Sequence, residues 1–462
     1  MYRQMPGGIP VATVAIGKAA GAALTSGAGN LAVGSGSLLV MTTGDYNTAI
    51  GHRALKTNVS GDFNVAVGYE ALTTANEDTA NQNTALGYKA LTLLTTGINN
   101  TAVGSLAGGE GTITGDSNTL IGKSAGATLA GGARNVAIGT NALKVLTAGG
   151  TADLGNVAIG YGALDSLQTG MSNVAIGVAA MDGAAGAVSN CVVIGDRAAD
   201  GALTTAADGT VALGYHALGA LTSGGGNTAV GFEAGKAMTT GANLTAVGYQ
   251  AGLLLPAGAN SNTAIGSGAL SVGNASTTDH NTCVGYLAGD DITDGQKNTI
   301  IGSESDPLSG GGSNQTAIGY GVAAVADNSV TLGNDDVTRV NMAHDGAAVM
   351  YANGTINTSD IRFKKNVEDT DLGLEFINKV RPVKYDFKED KGDGKKRYGI
   401  IAQEVLTVLK DSGNEDFAGI RTDNPDKLGA DYIQFVAPLI KAVQELTTKV
   451  EEQAKRIEEL EN

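Results

Sequence analysis

The polar and apolar positions of this chain repeat one short phrase: a polar residue, a variable residue, two small apolar residues and then glycine. The phrase occurs nineteen times, ending at Gly17, Gly34, Gly51, Gly68, Gly87, Gly104, Gly122, Gly139, Gly160, Gly177, Gly195, Gly214, Gly231, Gly248, Gly266, Gly285, Gly302, Gly319 and Gly333. Ten of the eighteen spacings are 17 residues and the others run from 14 to 21. Counted from the glycine, position −4 is Asn in thirteen copies, positions −2 and −1 are Ala-Ile, Ala-Val or close relatives, and position +3 is Ala in fifteen.

Alternation across Asn-x-Ala-Ile/Val-Gly predicts a short strand, because residues two apart share a face. A fixed period of this size predicts stacked coils, each strand lying parallel on the one before it. Glycine after the strand predicts a tight bend or φ > 0. Ala at +3 is small enough to turn inward, and Asn at −4 predicts a ladder of amide hydrogen bonds from coil to coil. Stretches such as 73–81, 148–154 and 221–226 are rich in Gly, Thr, Asn, Asp and Ala and absorb the differences in period, as surface loops do. Nineteen coils at ~4.8 Å each give a rod on the order of 90 Å long.

Beyond Gly333 the phrase stops and charge thickens: 32 charged residues stand in residues 1–333 and 44 in residues 334–462. A domain boundary is therefore expected there. Residues 334–358 alternate in short pieces broken by Asp345-Gly346 and Asn353-Gly354, which predicts a β-rich connector with hairpin-type turns. From about residue 434 the pattern turns helical. Val443, Leu446, Val450, Ile457 and Leu460 fall at a/d spacing with Gln453 at one d position, and Glu445, Lys449, Glu452 and Glu459 stand outside the seam. So short a coiled coil is weak alone and is expected to assemble with partner chains; the heptads leave dimer and trimer open.

Composition sharpens this picture. There are 69 Gly and no Trp, as suits a thin coil with little interior room. The formal net charge of −16 divides into about −10 for residues 1–333 and −6 for the remainder, with no basic stripe, which argues against binding nucleic acid through phosphates. No run of 18 apolar residues exists, so no membrane insertion is expected, and the N-terminus lacks a secretory pattern. Cys191 and Cys283 read as small buried apolar residues, about five coils apart and too distant for a disulfide. No Cys/His cluster has metal-ligand spacing, so neither metal nor cofactor is expected.

The repeat resembles the Asn-Ser-Val-Ala-Ile-Gly repeats in the heads of trimeric autotransporter adhesins, which form parallel β-rolls in a trimer; Asn328-Ser329-Val330-Thr331-Leu332-Gly333 is the nearest copy. Similar repeats occur in phage tail fibres. The segment Met5 to Lys18 also resembles a stretch of the carboxyaminoimidazole ribonucleotide mutases, but Val14-Ala15-Ile16-Gly17 falls 17 residues before Gly34 and reads as the first coil.

Three ordered motifs follow: Ser359-Asp360-Ile361-Arg362-Phe363-Lys364-Lys365-Asn366-Val367, then Arg381-Pro382-Val383-Lys384-Tyr385-Asp386-Phe387, then Tyr398-Gly399-Ile400-Ile401-Ala402-Gln403-Glu404-Val405. With the terminal helix they resemble the intramolecular chaperone and autoprotease domain (peptidase family S74) of phage tailspikes and tail fibres, over roughly residues 355–462. Phe363 and Val367 replace the more usual Leu and Ile. The resemblance implies that Ser359 is the nucleophile, Lys364 the base and Thr358–Ser359 the scissile bond, with Asp360 and Arg362 orienting. A Lys amine can assist a Ser hydroxyl where burial or nearby cations, here Arg362 and Lys365, favour its neutral form.

The expected fold is thus mostly β: a parallel β-roll or β-helix-like shaft over residues 1–333 in a trimer, a connector over 334–358, and a small α+β chaperone domain over 359–462 with a coiled coil from about 434. The expected function is that of a trimeric phage tail fibre for host-surface attachment, resident in the virion and assembled in the host cytoplasm. Its partners would be two further copies of itself, a host receptor (a glycan or surface protein) and other tail proteins. Any catalysis would be a single self-cleavage. Two alternatives remain open: a tailspike hydrolysing surface polysaccharide, with acids such as Asp62, Glu70, Glu77, Asp78, Asp196 and Glu233 to draw on, and a bacterial surface adhesin, which would need a signal peptide and an anchor.

Overall fold

The computed structural model describes residues 13–75, 81–147, 155–273, 277–338, 340, 364–386, 396–422 and 428–461. The chain divides into two compact units, Met1–Arg339 and Val340–Asn462.

In the first unit each motif becomes one three-residue strand, from β1 (Val14–Ile16) to β19 (Val330–Leu332). Every strand pairs in parallel with the next one in sequence, and the register follows the motif: Val14 faces Leu31, Ala15 faces Ala32, Ile16 faces Val33, and so on to Ile318 facing Leu332. The result is one nineteen-stranded parallel sheet wound as a β-solenoid. The Met5–Lys18 segment accordingly supplies the first strand of the stack.

The middle residue of each strand points inward. It is Ala in most coils, and Ala32, Ala49, Ala66 and their equivalents are fully buried. In two coils where a larger residue takes this place, the inward position four residues past the motif glycine is itself glycine: Leu120 lies against Gly126, and the Cys283 sulfur against Gly289. Where the strand residue is Ala, that +4 position is often Leu. Leu55, Leu72, Leu91, Leu143, Leu164, Leu218 and Leu270 are fully buried there, with φ between 48° and 54°. A left-handed backbone costs roughly 1–2 kcal/mol per non-glycine residue, which burial of a Leu side chain, about 1.5–3 kcal/mol, offsets. Cys191 and Cys283 are both buried and free, and burial pushes both thiols up.

The motif glycines stack on one another. From Gly17 to Gly319 their φ lies between 126° and 146°, and from Gly17 to Gly302 an added Cβ would collide with the carbonyl of the next motif glycine. Beside this column runs the asparagine ladder, all thirteen members buried. Asn30 Oδ1 accepts from the backbone N–H of Asn47 at 2.9 Å and from its Nδ2 at 3.2 Å, while Asn47 Nδ2 also donates to the Gly61 carbonyl at 2.8 Å. Cys191 and Leu244 interrupt the side-chain ladder but still donate their backbone N–H to Asn173 and Asn227 below them, at 3.1 and 2.9 Å.

The second unit begins with α1 (Leu374–Lys379), an antiparallel pair β20 (Val383–Tyr385) and β21 (Arg397–Gly399), and α2 (Ala402–Asp411). A second pair, β22 (Ile420–Arg421) and β23 (Gly429–Ala430), leads through a 3₁₀ turn at Tyr432–Phe435 into α3 (Val436–Glu461). Leu372, Phe376, Val405, Leu409, Ile420 and Phe435 form its core. Of the connector expected at 334–358, residues 339 and 341–358 lie outside the described residues. Among the described residues no helix is long and apolar enough to cross a membrane.

The stacked glycines generate a direct test. Gly231→Ala places a methyl against the Gly248 carbonyl and is expected to destabilise the shaft by about 3 kcal/mol. Gly162→Ala, at φ 64° with nothing within 4 Å, is expected to cost only about 1 kcal/mol of backbone strain. Circular-dichroism melts compare the two; equal losses would show that glycine contact does not set the coil spacing.

Candidate functional site

The C-terminal unit is organised around a hydrogen bond between distant elements. The Leu374 N–H, in the first turn of α1, donates to Glu445 Oε2 of α3 at 2.8 Å. An added Cβ on Gly373 would fall against the Glu445 carboxylate, so glycine leaves room for that acid. A carboxylate suits the positive end of a helix, and here it ties the long helix to the motif-bearing segment. Glu445 was expected merely to stand outside the coiled-coil seam; its contact with α1 was not legible from spacing.

Three rings fill the space beneath. Phe417 meets Phe435 edge-on at 5.2 Å and Phe376 at 6.0 Å, while Phe376 and Phe435 lie nearly parallel at 6.2 Å. The second and third motifs meet through Arg381, whose guanidinium binds the Glu404 carboxylate with Nε at 2.9 Å and Nη2 closer still. That pair holds the Glu404 carboxyl below its usual range and the Arg381 guanidinium above its own. The backbone N–H of Ile400 donates to the Tyr432 hydroxyl at 3.3 Å.

Of the residues expected to cleave the chain, Lys364 and its neighbour Lys365 are exposed. Thr358, Ser359, Asp360 and Arg362 lie outside the described residues.

The family model described as chaperone of endosialidase (Peptidase_S74) matches residues 359–414, which include α1, the β20–β21 pair and α2. A parallel β-solenoid followed by such a region fits a tail fibre or tailspike with a C-terminal chaperone domain. No curated protein and no solved structure matches the chain.

On the shaft, most of the acids considered for hydrolysis are engaged in structural contacts. Asp62 accepts the Asp45 N–H at 2.7 Å. Glu70 sits between Arg53 and Lys89 at 3.4 and 3.7 Å. Asp196 stands 4.0 Å from Arg197, and Glu233 accepts from Lys236 at 2.6 Å. Glu77 and Asp78 lie outside the described residues. Sequence reasoning missed a column of aromatics one residue past the motif glycine: Tyr69, Tyr88, Tyr161, Tyr215, Phe232, Tyr249, Tyr286 and Tyr320, all exposed. The signal was present in the sequence, since the same offset carries a ring in eight coils.

Burial raises several shaft carboxylates, Asp165, Asp182, Asp200 and Asp290 among them, and Asp306 is raised to a value that a pH series can reach. Asp306 occupies a +4 position, inward in other coils, and burial pushes its carboxyl up to about 6. The Asp291 N–H, 3.3 Å from Asp306 Oδ1, acts against the rise, while the charges of Asp290 and Asp291 add to it. A raised folded-state value means that its contribution is complete below the ordinary carboxylate range and is lost as pH rises through about 6. The shaft is expected to melt at a higher temperature at pH 4.5 than at pH 7.5, with Asp306→Asn shrinking that difference. An unchanged difference in the variant would assign the pH dependence elsewhere.

Proposed function

We propose that this chain is a phage tail fibre protein that assembles as a homotrimer for host-surface attachment, and that its C-terminal unit aligns the three chains and then cuts itself away. The observation that carries the reading is the outward face of the shaft sheet. In all nineteen strands the residue one before the glycine is Ile, Val or Leu, the residue three before the glycine is Thr, Val or Leu, and none is charged. Ile16, Leu86, Ile265 and Ile318 are among the exposed members.

A strip about 90 Å long and one strand, about 10 Å, wide amounts to roughly 900 Å² per chain. A standard protein interface takes about 800 Å² from each partner. An apolar strip of that size is large for the surface of a lone soluble chain. Another copy of this shaft presents the same strip at the same pitch, which makes it the matching cover. Val443, Leu446, Val450, Ile457 and Leu460 on α3 are likewise exposed along one seam, as expected for a helix that pairs between chains.

The division of labour follows from folding physics. Parallel pairing over many coils closes long loops and leaves strand edges open while it proceeds. A C-terminal unit that brings the chains into register lowers that cost, and its removal afterwards leaves the fibre kinetically trapped. In the proposed cleavage the Ser359 hydroxyl adds to the Thr358 carbonyl carbon as Lys364 takes its proton. The C–N bond breaks, the Ser359 nitrogen receives the proton, and water hydrolyses the resulting ester to a Thr358 carboxylate.

Two measurements test this. Intact mass of the purified protein should give fragments meeting at Thr358–Ser359, and Ser359→Ala should leave a single chain of 46.2 kDa; a variant still shortened by 104 residues would remove the nucleophile from the account. Native mass should give three chains per particle. Val247→Glu with Ile265→Glu, both outward and partly exposed, should break that association by charging the strip; an intact trimer in the double variant would place the interface elsewhere.

A further inference from the structure

The outward strip of the shaft is nearly the same at every level. Each of the nineteen strands offers Thr, Val or Leu and then Ile, Val or Leu, and the levels recur at the coil pitch of ~4.8 Å. Two chains displaced by one coil would still match strip to strip at eighteen of the nineteen levels. The asparagine ladder fixes register within a chain, but it is buried and cannot act between chains. A strip of this kind discriminates poorly between a level pairing and a slipped one, so an element outside the repeat has to make the choice.

The terminal helix α3 carries such an element. Its heptad seam starts before Val443: Val436, Leu439, Val443, Leu446, Val450, Gln453, Ile457 and Leu460 follow one another at alternating intervals of three and four, and all are exposed. Pro438 and Ala442 are buried and Glu445 is bonded to α1, so packing within the chain uses other faces of the helix and leaves the seam open. Val or Ile fills every a position, and Leu fills every d position except the one held by Gln453. Without that residue the seam would be as uniform as the shaft. Slid by one heptad, ~10.5 Å, it would meet its own pattern again, and that step is close to two coils of the shaft, ~9.6 Å. Arg456 at a g position and Glu461 at the following e position have the spacing of an ion pair between parallel neighbours, which sets the direction of pairing but leaves the register to Gln453.

We propose that Gln453 is the register lock of the assembled fibre: the Gln453 side chains of the paired chains form one amide layer in the α3 seam and hold the chains level, so that shaft pairing starts from the same coil in each. A Gln amide offers a carbonyl and two N–H donors, and amides on one level supply one another's partners. Slid by one heptad, Gln453 of one chain would lie level with Leu446 or Leu460 of its neighbours, where an amide enclosed by apolar side chains loses those partners. A single polar residue in an apolar seam sets register at a cost in stability. The lock requires parallel copies of this chain and works for any number of them. It rests on the assembly reading above and names what keeps that assembly in step.

The test reads helix register through disulfides in full-length chains carrying Ser359→Ala, which keeps α3 attached. Chains with Val443→Cys are co-expressed with chains with Val450→Cys, two a positions one heptad apart, and then oxidised; Cys191 and Cys283 are buried and stay out of the reaction. Level helices give disulfides between like positions, and helices slipped by a heptad give mixed ones. Gln453→Leu should raise the mixed product roughly tenfold or more, and should at the same time raise the melting temperature, because Leu continues the seam. Gln453→Asn retains an amide and should keep the mixed product low. A mixed product equally rare, or equally frequent, with and without Gln453→Leu overturns the proposal. A trimer by native mass whose register ignores residue 453 removes the lock and leaves the fibre. Register that obeys residue 453 in a dimer keeps the lock and removes the homotrimer, and a protein that stays a single chain removes both.

Discussion

The contact of one glycine with the next governs the shaft. At this contact the backbones of successive coils approach too closely for any side chain, and the positive φ of the motif glycines turns the chain out of its strand at the same place in every coil. Strand length, register and pitch follow from that single requirement. A strand of three residues contributes little by itself, but its neighbours continue the ladder on both sides, so the backbone groups that a lone short strand would leave open are paired between coils.

With the pitch set, inside and outside separate by chemistry. The interior alternates an amide ladder with small apolar residues, and each Asn of the ladder has an acceptor and a donor role toward its own or a neighbouring coil. Such a ladder specifies register more firmly than apolar packing does, because a slipped coil would leave buried amides without partners at about 1–3 kcal/mol each. The remaining interior trades volume within a coil, as between Leu120 and Gly126 or Cys283 and Gly289, and between coils, as where Gly108 makes room for Leu91 and Gly235 for Leu218.

Much of this was legible in the sequence because the repeat averages out local ambiguity. Strand positions, parallel register, the inward Ala and the Asn ladder all follow from nineteen aligned copies. The left-handed Leu at +4 was not legible, since no residue preference announces a positive φ for Leu; it arises because the buried side chain outweighs the backbone cost. The aromatic column was visible at a constant offset but carried no meaning until the coil placed the rings on top of one another. In the C-terminal unit, sequence motifs identified the matched segment, whereas the Glu445 link to α1 joins residues 71 apart and depended on tertiary packing.

Because each strand bonds only to the strands just before and after it in the chain, the shaft behaves as a ruler. Duplicating or deleting one whole period inserts or removes a rung without disturbing the chemistry of the others, and the 21-residue interval between Gly139 and Gly160 shows that an outward loop can lengthen while the rungs stay aligned. Reach can therefore be adjusted by unequal recombination in steps of about 4.8 Å, independently of whatever the surface of any one rung has been selected to hold.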